Sequence, residues 1–204
     1  MSNLQPLPFV DYQRPEQWDL KSPPLTFVGE APGADEVRQG RPFAGRSGKL
    51  LDQTLEQAGL DRRLCLIANV FRYQPPGNKV SHFFSSRTRA RAQGISLALE
   101  FGPFGASDYC LEAFAEEIIA LRCMLNEVKP PIVIALGRTP LWALTGCGGI
   151  LERRGQELPC RLRPETVVIP TFHPSYLLRG NLAQQPIFLT DIQNAAERRR
   201  HIVE

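Results

Sequence analysis

The chain predicts an α/β fold in which a parallel sheet is covered by helices on both faces. Three observations carry that prediction. Four short runs, at 25–28, 64–70, 131–136 and 167–169, are apolar at most positions, as strands buried on both faces are. Segments with helical spacing of apolar residues lie between them, and strands alternating with helices imply parallel pairing. The length of 204 residues suits one domain large enough to bury a substantial core.

Residues 1–24 are rich in proline and polar groups and read as an extended arm before a single domain at 25–204. The run LTFV is the first strand and opens into the loop GEAPGADEVRQGRPFAG. Residues 47–58 form a helix with Leu50, Leu51, Leu55 and Ala58 on one face, stopped by Gly59. The second strand, at 64–70, carries Asn69 near its end. Residues 75–107 then read as one long inserted loop, with Arg87, Arg89 and Arg91 alternating with small or polar residues. A connection of that length in a compact domain is usually functional or mobile. Leu111, Phe114, Ala115, Ile118, Ile119 and Leu121 predict a helix over 108–128. Strands at 131–136 and 167–169 and helices at 139–144 and 186–200 complete the alternation. The basic ERRRH run suits the end of the last helix.

Composition excludes several functions. No stretch of eighteen apolar residues exists, which argues against a transmembrane helix. The N-terminus lacks both the charged and the apolar parts of a secretion signal, so a cytoplasmic protein with no membrane association is expected. Five cysteines without CxxC spacing fit neither a disulfide framework nor a zinc ribbon. The glycines match neither a phosphate loop nor a dinucleotide fingerprint. A net charge of +3 permits nucleic-acid binding without demanding it.

Two distant fragments, GEAPGADE at 29–36 and TFHPSYLLR at 171–179, each follow a strand. Loops at strand ends converge above a parallel sheet, where open α/β sheets bind ligands. GEAPG, the spaced Glu36, GRPFAG and HPSYLLR resemble the uracil-DNA glycosylase superfamily, most closely family 4, from about Leu25 onward. The resemblance implies a three-layer α/β/α sandwich around a four-stranded parallel sheet. It also implies an enzyme that flips uracil or another deaminated base out of DNA and hydrolyses its N-glycosidic bond; a monomer is expected, although the sequence leaves the oligomeric state open. The product is an abasic site in base excision repair. Family 4 proteins hold an iron–sulfur cluster through four cysteines. Here the N-terminal CxxC is missing, and the other two positions align with Tyr73 and Glu117. Cluster ligation needs thiolates, so neither metal nor cofactor is expected.

The resemblance also assigns roles. Phe43 matches the phenylalanine that stacks on the flipped base; its local sequence alone favours a core residue, and the flanking motif reverses that. Asn69 matches the reader of uracil, since a carboxamide can pair with both N3–H and O4; a turn-capping asparagine is the plainer reading. His173 matches the histidine near uracil O2, where one donor aimed at developing charge is worth roughly a hundredfold or more. Glu30 and Glu36 are the candidate catalytic carboxylates, with Glu30 first and Glu36 as catalytic group or loop anchor. Ala31, where other branches place a water-activating aspartate, is a candidate substrate-binding residue with Phe43 and Asn69. Ser175 and Arg179 are candidates for phosphate contact, and Tyr176 and Leu177 for insertion into the duplex. Leu177 suits a packing role equally well. Arg87, Arg89 and Arg91 are candidates for tracking phosphates. Two rivals remain: a protein that traps uracil- or abasic-site DNA, covalently through His82, and a non-enzymatic nucleic-acid-binding domain.

Overall fold

Side chains alternate across a strand, and here both sets are apolar. In the computed structural model, which describes residues 7–203, Phe27, Ile67, Ile134 and Ile169 enter one core layer. Val28, Ala68, Val133 and Val168 enter the other. The strands are β1 (Thr26–Gly29), β2 (Leu66–Asn69), β3 (Phe84–Ser86), β4 (Asp108–Cys110), β5 (Ile132–Leu136), β6 (Leu158–Pro159) and β7 (Val167–Thr171). The helices are α1 (Ala34–Gln39), α2 (Arg46–Gln57), α3 (Arg87–Gln93), α4 (Ala115–Val128), α5 (Arg138–Thr145), α6 (Ile150–Arg153), α7 (Pro174–Leu178) and α8 (Gln185–Val203). Leu51 and Leu55 of α2, Leu177 of α7 and Ile192 of α8 pack on the first face. Ile118, Leu121 and Leu125 of α4, with Trp142 of α5, pack on the second.

The main sheet runs β2-β1-β5-β7-β6. All pairings are parallel except β6 with β7. The expected four strands are therefore joined by a fifth, a two-residue antiparallel edge too short to show periodicity. From β1 the chain first moves outward to β2 and later places β5 on the opposite side of β1. That reversal puts a crevice at the carboxyl ends of β1 and β5.

Two further expectations are corrected. Residues 75–107 are an ordered subdomain rather than one long loop. Its strand β3 pairs antiparallel with β4. Ser86 caps α3, its Oγ accepting from the Arg89 N–H at 3.3 Å. Phe83, Phe84 and Phe104 are buried against Phe71 and Trp142, with Phe84 and Phe104 stacked at 4.1 Å. The helix expected over 108–128 begins only at Ala115, because residues 108–110 are drawn into β4.

The described part of the arm, from residue 7, runs along the outer edge of β2. Gln13 exchanges backbone hydrogen bonds with Ile67 at 2.8 and 2.9 Å. This covers a strand edge that would otherwise present unpaired amides. The first six residues of the arm lie outside the described residues.

Candidate active site

The site is built on the ends of β1, β2, β5 and β7. A cavity of about 430 Å³ opens there, lined by Glu30, Ala31, Phe43, Asn69, His173 and Arg179 among others. Its lining draws on both halves of the paired motif.

The loop after β1 is folded around one carboxylate. Glu36 Oε2 accepts from the Gly33 N–H at 3.0 Å, and Oε1 accepts from the N–H groups of Ala44 and Gly45, each at 2.9 Å. Both oxygens are thereby engaged with backbone, which suits an anchor rather than a reacting group. The fold sets Phe43 at φ 51°, a conformation costly for a residue with a Cβ. Three features hold it there. A Cβ at Gly48 would stand 1.8 Å from the Phe43 carbonyl oxygen, so only glycine permits this approach. Arg62 donates to the carbonyls of Pro42 at 2.7 Å and Phe43 at 3.2 Å. Arg62 is itself held by Asp52 at 2.5 Å and by Gln13 of the arm at 2.9 Å.

Phe43 and Asn69 meet over Gly29. A Cβ on Gly29 would lie 2.5 Å from both Asn69 Oδ1 and Phe43 Cζ. Asn69 is almost fully buried at the end of β2, yet its carboxamide makes no hydrogen bond among the described residues. It faces the cavity with donor and acceptor both available.

His173 caps α7. Its Nδ1 accepts from the Ser175 N–H at 3.1 Å and lies 2.7 Å from Ser175 Oγ. An Nδ1 that accepts leaves the proton on Nε2. Burial, with help from the nearby Arg179 charge, lowers the His173 pKa to about 4 against a smaller opposing effect from Glu36. The ring is therefore a neutral donor at physiological pH. It lies 5.6 Å from the Phe43 ring.

Glu30 is fixed across the crevice. Thr139, in the first turn of α5 after β5, donates its hydroxyl to Glu30 Oε2 at 2.5 Å. Burial raises the Glu30 pKa above the ordinary carboxylate value, partly offset by this bond and by Arg179 and Arg138. Oε1 has no hydrogen bond among the described residues.

Other sequence-predicted residues fall outside this arrangement. Leu177 has no exposed surface and packs in the α2–α8 core. It offers nothing to a duplex, which corrects that expectation. Tyr176 is half-buried, stacked on Phe172 at 5.3 Å. Arg87, Arg89 and Arg91 are exposed on α3 and line neither this cavity nor its neighbour, with Arg87 lying over the Tyr109 ring. His82 also lines neither cavity; its ring packs edge-on against Phe83 and Phe114. Residues that sequence reading missed include Thr139, Arg62 and Arg138. The signal for Thr139 was its place at the start of the helix after the third apolar run.

The positions aligned with cluster ligands do not fit an iron–sulfur centre. Glu117 is buried and paired with Arg72, which donates from its backbone N–H at 2.9 Å and its side chain at 3.0 Å. The Arg72 guanidinium lies over the rings of Phe9 and Tyr12, while Tyr73 packs against Phe9. None of these side chains offers the thiolate that cluster ligation needs. Among the described residues, no group of three or more His, Cys, Asp or Glu could hold a metal ion. No helix among them is long and apolar enough to cross a membrane.

The chain is similar to known proteins over most of its length. Residues 15–197 match the sequence model of the uracil DNA glycosylase superfamily. The chain is 30% identical to the type-4 uracil-DNA glycosylase of Thermotoga maritima over 84% of its own length and 75% of that protein's. It is 28% identical to the type-4 enzyme of Sulfurisphaera tokodaii over 76% of its length and 60% of that protein's. With the corresponding Archaeoglobus fulgidus protein, identity rises to 49% over a segment covering 27% of the chain.

Proposed function

Because the chain belongs to the uracil-DNA glycosylase superfamily, we propose that its crevice receives a uracil flipped out of DNA and hydrolyses the N-glycosidic bond. The observation that carries this reading is the convergence of Glu30, Phe43, Asn69 and His173 on one cavity. A base cannot be reached inside the stack, so it must enter such a pocket.

Phe43 supplies the stacking wall, worth roughly 1–3 kcal/mol for a base. Asn69 pairs with N3–H and O4 through its unpartnered carboxamide. Cytosine presents the opposite pattern and leaves these groups unpaired, which is how a hydrogen-bonding site rejects an analogue. As the bond breaks, its electron pair stays with the base and negative charge reaches O2. The His173 Nε2–H donates to that oxygen without transferring its proton, because the imidazole is neutral. The carboxylate of Glu30 offsets charge on the sugar and orients water for attack at C1′, accepting the proton that water releases. The products are free base and an abasic site. This reading takes the protein as a cytoplasmic monomer.

A base-release assay on uracil-containing oligonucleotides tests the assignment with Glu30→Ala, Asn69→Ala and His173→Ala. Each is expected to lose most activity while remaining folded. Wild-type rates in all three would overturn the assignment.

A further inference from the structure

Beside the base cavity lies a second one of about 240 Å³. The two share Glu30, His173, Ser175 and Arg179 as a common wall. The far side of the second is apolar, formed by Ile150, Leu151, Phe172 and Tyr176, with Arg138 also lining it. Leu151 is 69% exposed. A single exposed leucine needs no explanation, but its setting is specific.

The turn that presents Leu151 is fastened from behind. Arg154 pairs with the buried Asp191 at 2.6 Å, and Asp191 also accepts from Thr171 of β7 at 2.6 Å. The Gly155 N–H donates to the Pro170 carbonyl at 2.8 Å. An apolar side chain is thus held out to solvent by polar bonds to the sheet.

Cations flank it. Neither Arg138 nor Arg179 forms an ion pair among the described residues. The Arg138 guanidinium lies 4.1 Å from the Phe104 ring centroid, and its Nη2 would stand 2.7 Å from a Cβ on Gly105. The inserted subdomain therefore braces Arg138 beside the second cavity.

We propose that Leu151 is the side chain that enters the DNA stack where the flipped nucleotide leaves it, with Arg138 and Arg179 holding the neighbouring phosphates. The inference rests on the glycosylase reading above. An apolar wedge beside two cations unpaired among the described residues, one of them braced, matches a duplex being opened, and Leu177, the sequence-based choice, is enclosed in the core. A single strand has no duplex stack to repair, so the wedge matters only for double-stranded substrate.

The test compares uracil release from single-stranded and duplex oligonucleotides by wild type, Leu151→Ala, Leu151→Met and Leu182→Ala. Leu182, 54% exposed just beyond α7, is the competing wedge. Leu151→Ala is expected to lower duplex kcat/KM about tenfold or more and leave single-strand kcat/KM and melting temperature unchanged. Leu151→Met is expected to retain most duplex activity. Loss on both substrates alike, loss on neither, or a duplex-selective loss in Leu182→Ala instead would overturn the proposal. A wild-type protein inactive on both substrates would sink the glycosylase reading itself, an outcome distinct from these.

Discussion

Gly29→Ala isolates the geometry of the base cavity from everything else. Gly29 does not use a left-handed backbone conformation, so alanine introduces no φ strain and acts only through its methyl group. That group would lie 2.5 Å from Asn69 Oδ1 and 2.5 Å from Phe43 Cζ. Ordinary van der Waals contact begins near 3.4 Å, so the reader and the stacking ring must each retreat by about 0.9 Å. A misplacement of about 1 Å at a reacting centre can cost on the order of a hundredfold in rate. The expected result is a fall of about that size in kcat/KM for uracil release, from single-stranded and duplex DNA alike. Overpacking typically costs about 1–3 kcal/mol of stability, so the variant remains folded with a lowered melting temperature. A melting curve on the same sample separates the two effects. A folded Gly29→Ala protein with wild-type kcat/KM would refute the placement of uracil between Asn69 and Phe43.

Arg62→Ala removes the donors to the Pro42 and Phe43 carbonyls; releasing about 1–2 kcal/mol of left-handed strain at Phe43 is expected to lower kcat/KM about tenfold, checked by steady-state kinetics. Phe43→Ala in that background is expected to add less than it does alone. Acid should reduce the rate through Glu30, whose pKa burial raises, with an apparent pKa above the usual carboxylate range in the pH–rate profile. His173, held near 4, stays neutral over that interval and adds no inflection near 6.5. Because its folded pKa is depressed, its contribution to stability is present above about 6.5 and is lost as pH falls toward 4. Urea titrations of wild type and His173→Asn across that range measure it. Arg72→Met leaves Glu117 buried without its partner and is expected to cost about 3–5 kcal/mol in urea unfolding, whereas the double change with Glu117→Leu recovers much of that.

The candidate site was legible where a residue's task is fixed by its place at a strand end. Glu30 and His173 follow apolar runs and Asn69 lies near the end of one, and a parallel sheet brings such ends together whatever surrounds them. Leu177 was not legible. Its exposure depends on which way a single turn of α7 rolls against α2, and local sequence does not encode that. Arg62 was invisible for another reason: it serves backbone carbonyls, which carry no side-chain signature. The inserted segment misled because Phe83 and Phe84 are adjacent rather than periodic, and their burial depends on Phe71 and Trp142 elsewhere in the chain. The start of α4 was misplaced because residues 108–110 pair with β3, a long-range partner that outweighs local helical spacing.

The bond between Thr139 and Glu30 joins positions 109 residues apart. A domain generally folds as a unit, and here β1 is paired on both sides, by β2 and by the later strand β5. Glu30 has no tether until α5 is translated, and His173 arrives later still. Phe43 itself packs with Ile134, Leu177 and Phe188, so the two sides of the crevice are completed together, when the C-terminal half joins the sheet. A shortened chain that lacks β5, β7 and their helices would therefore lose the whole crevice, not one wall of it.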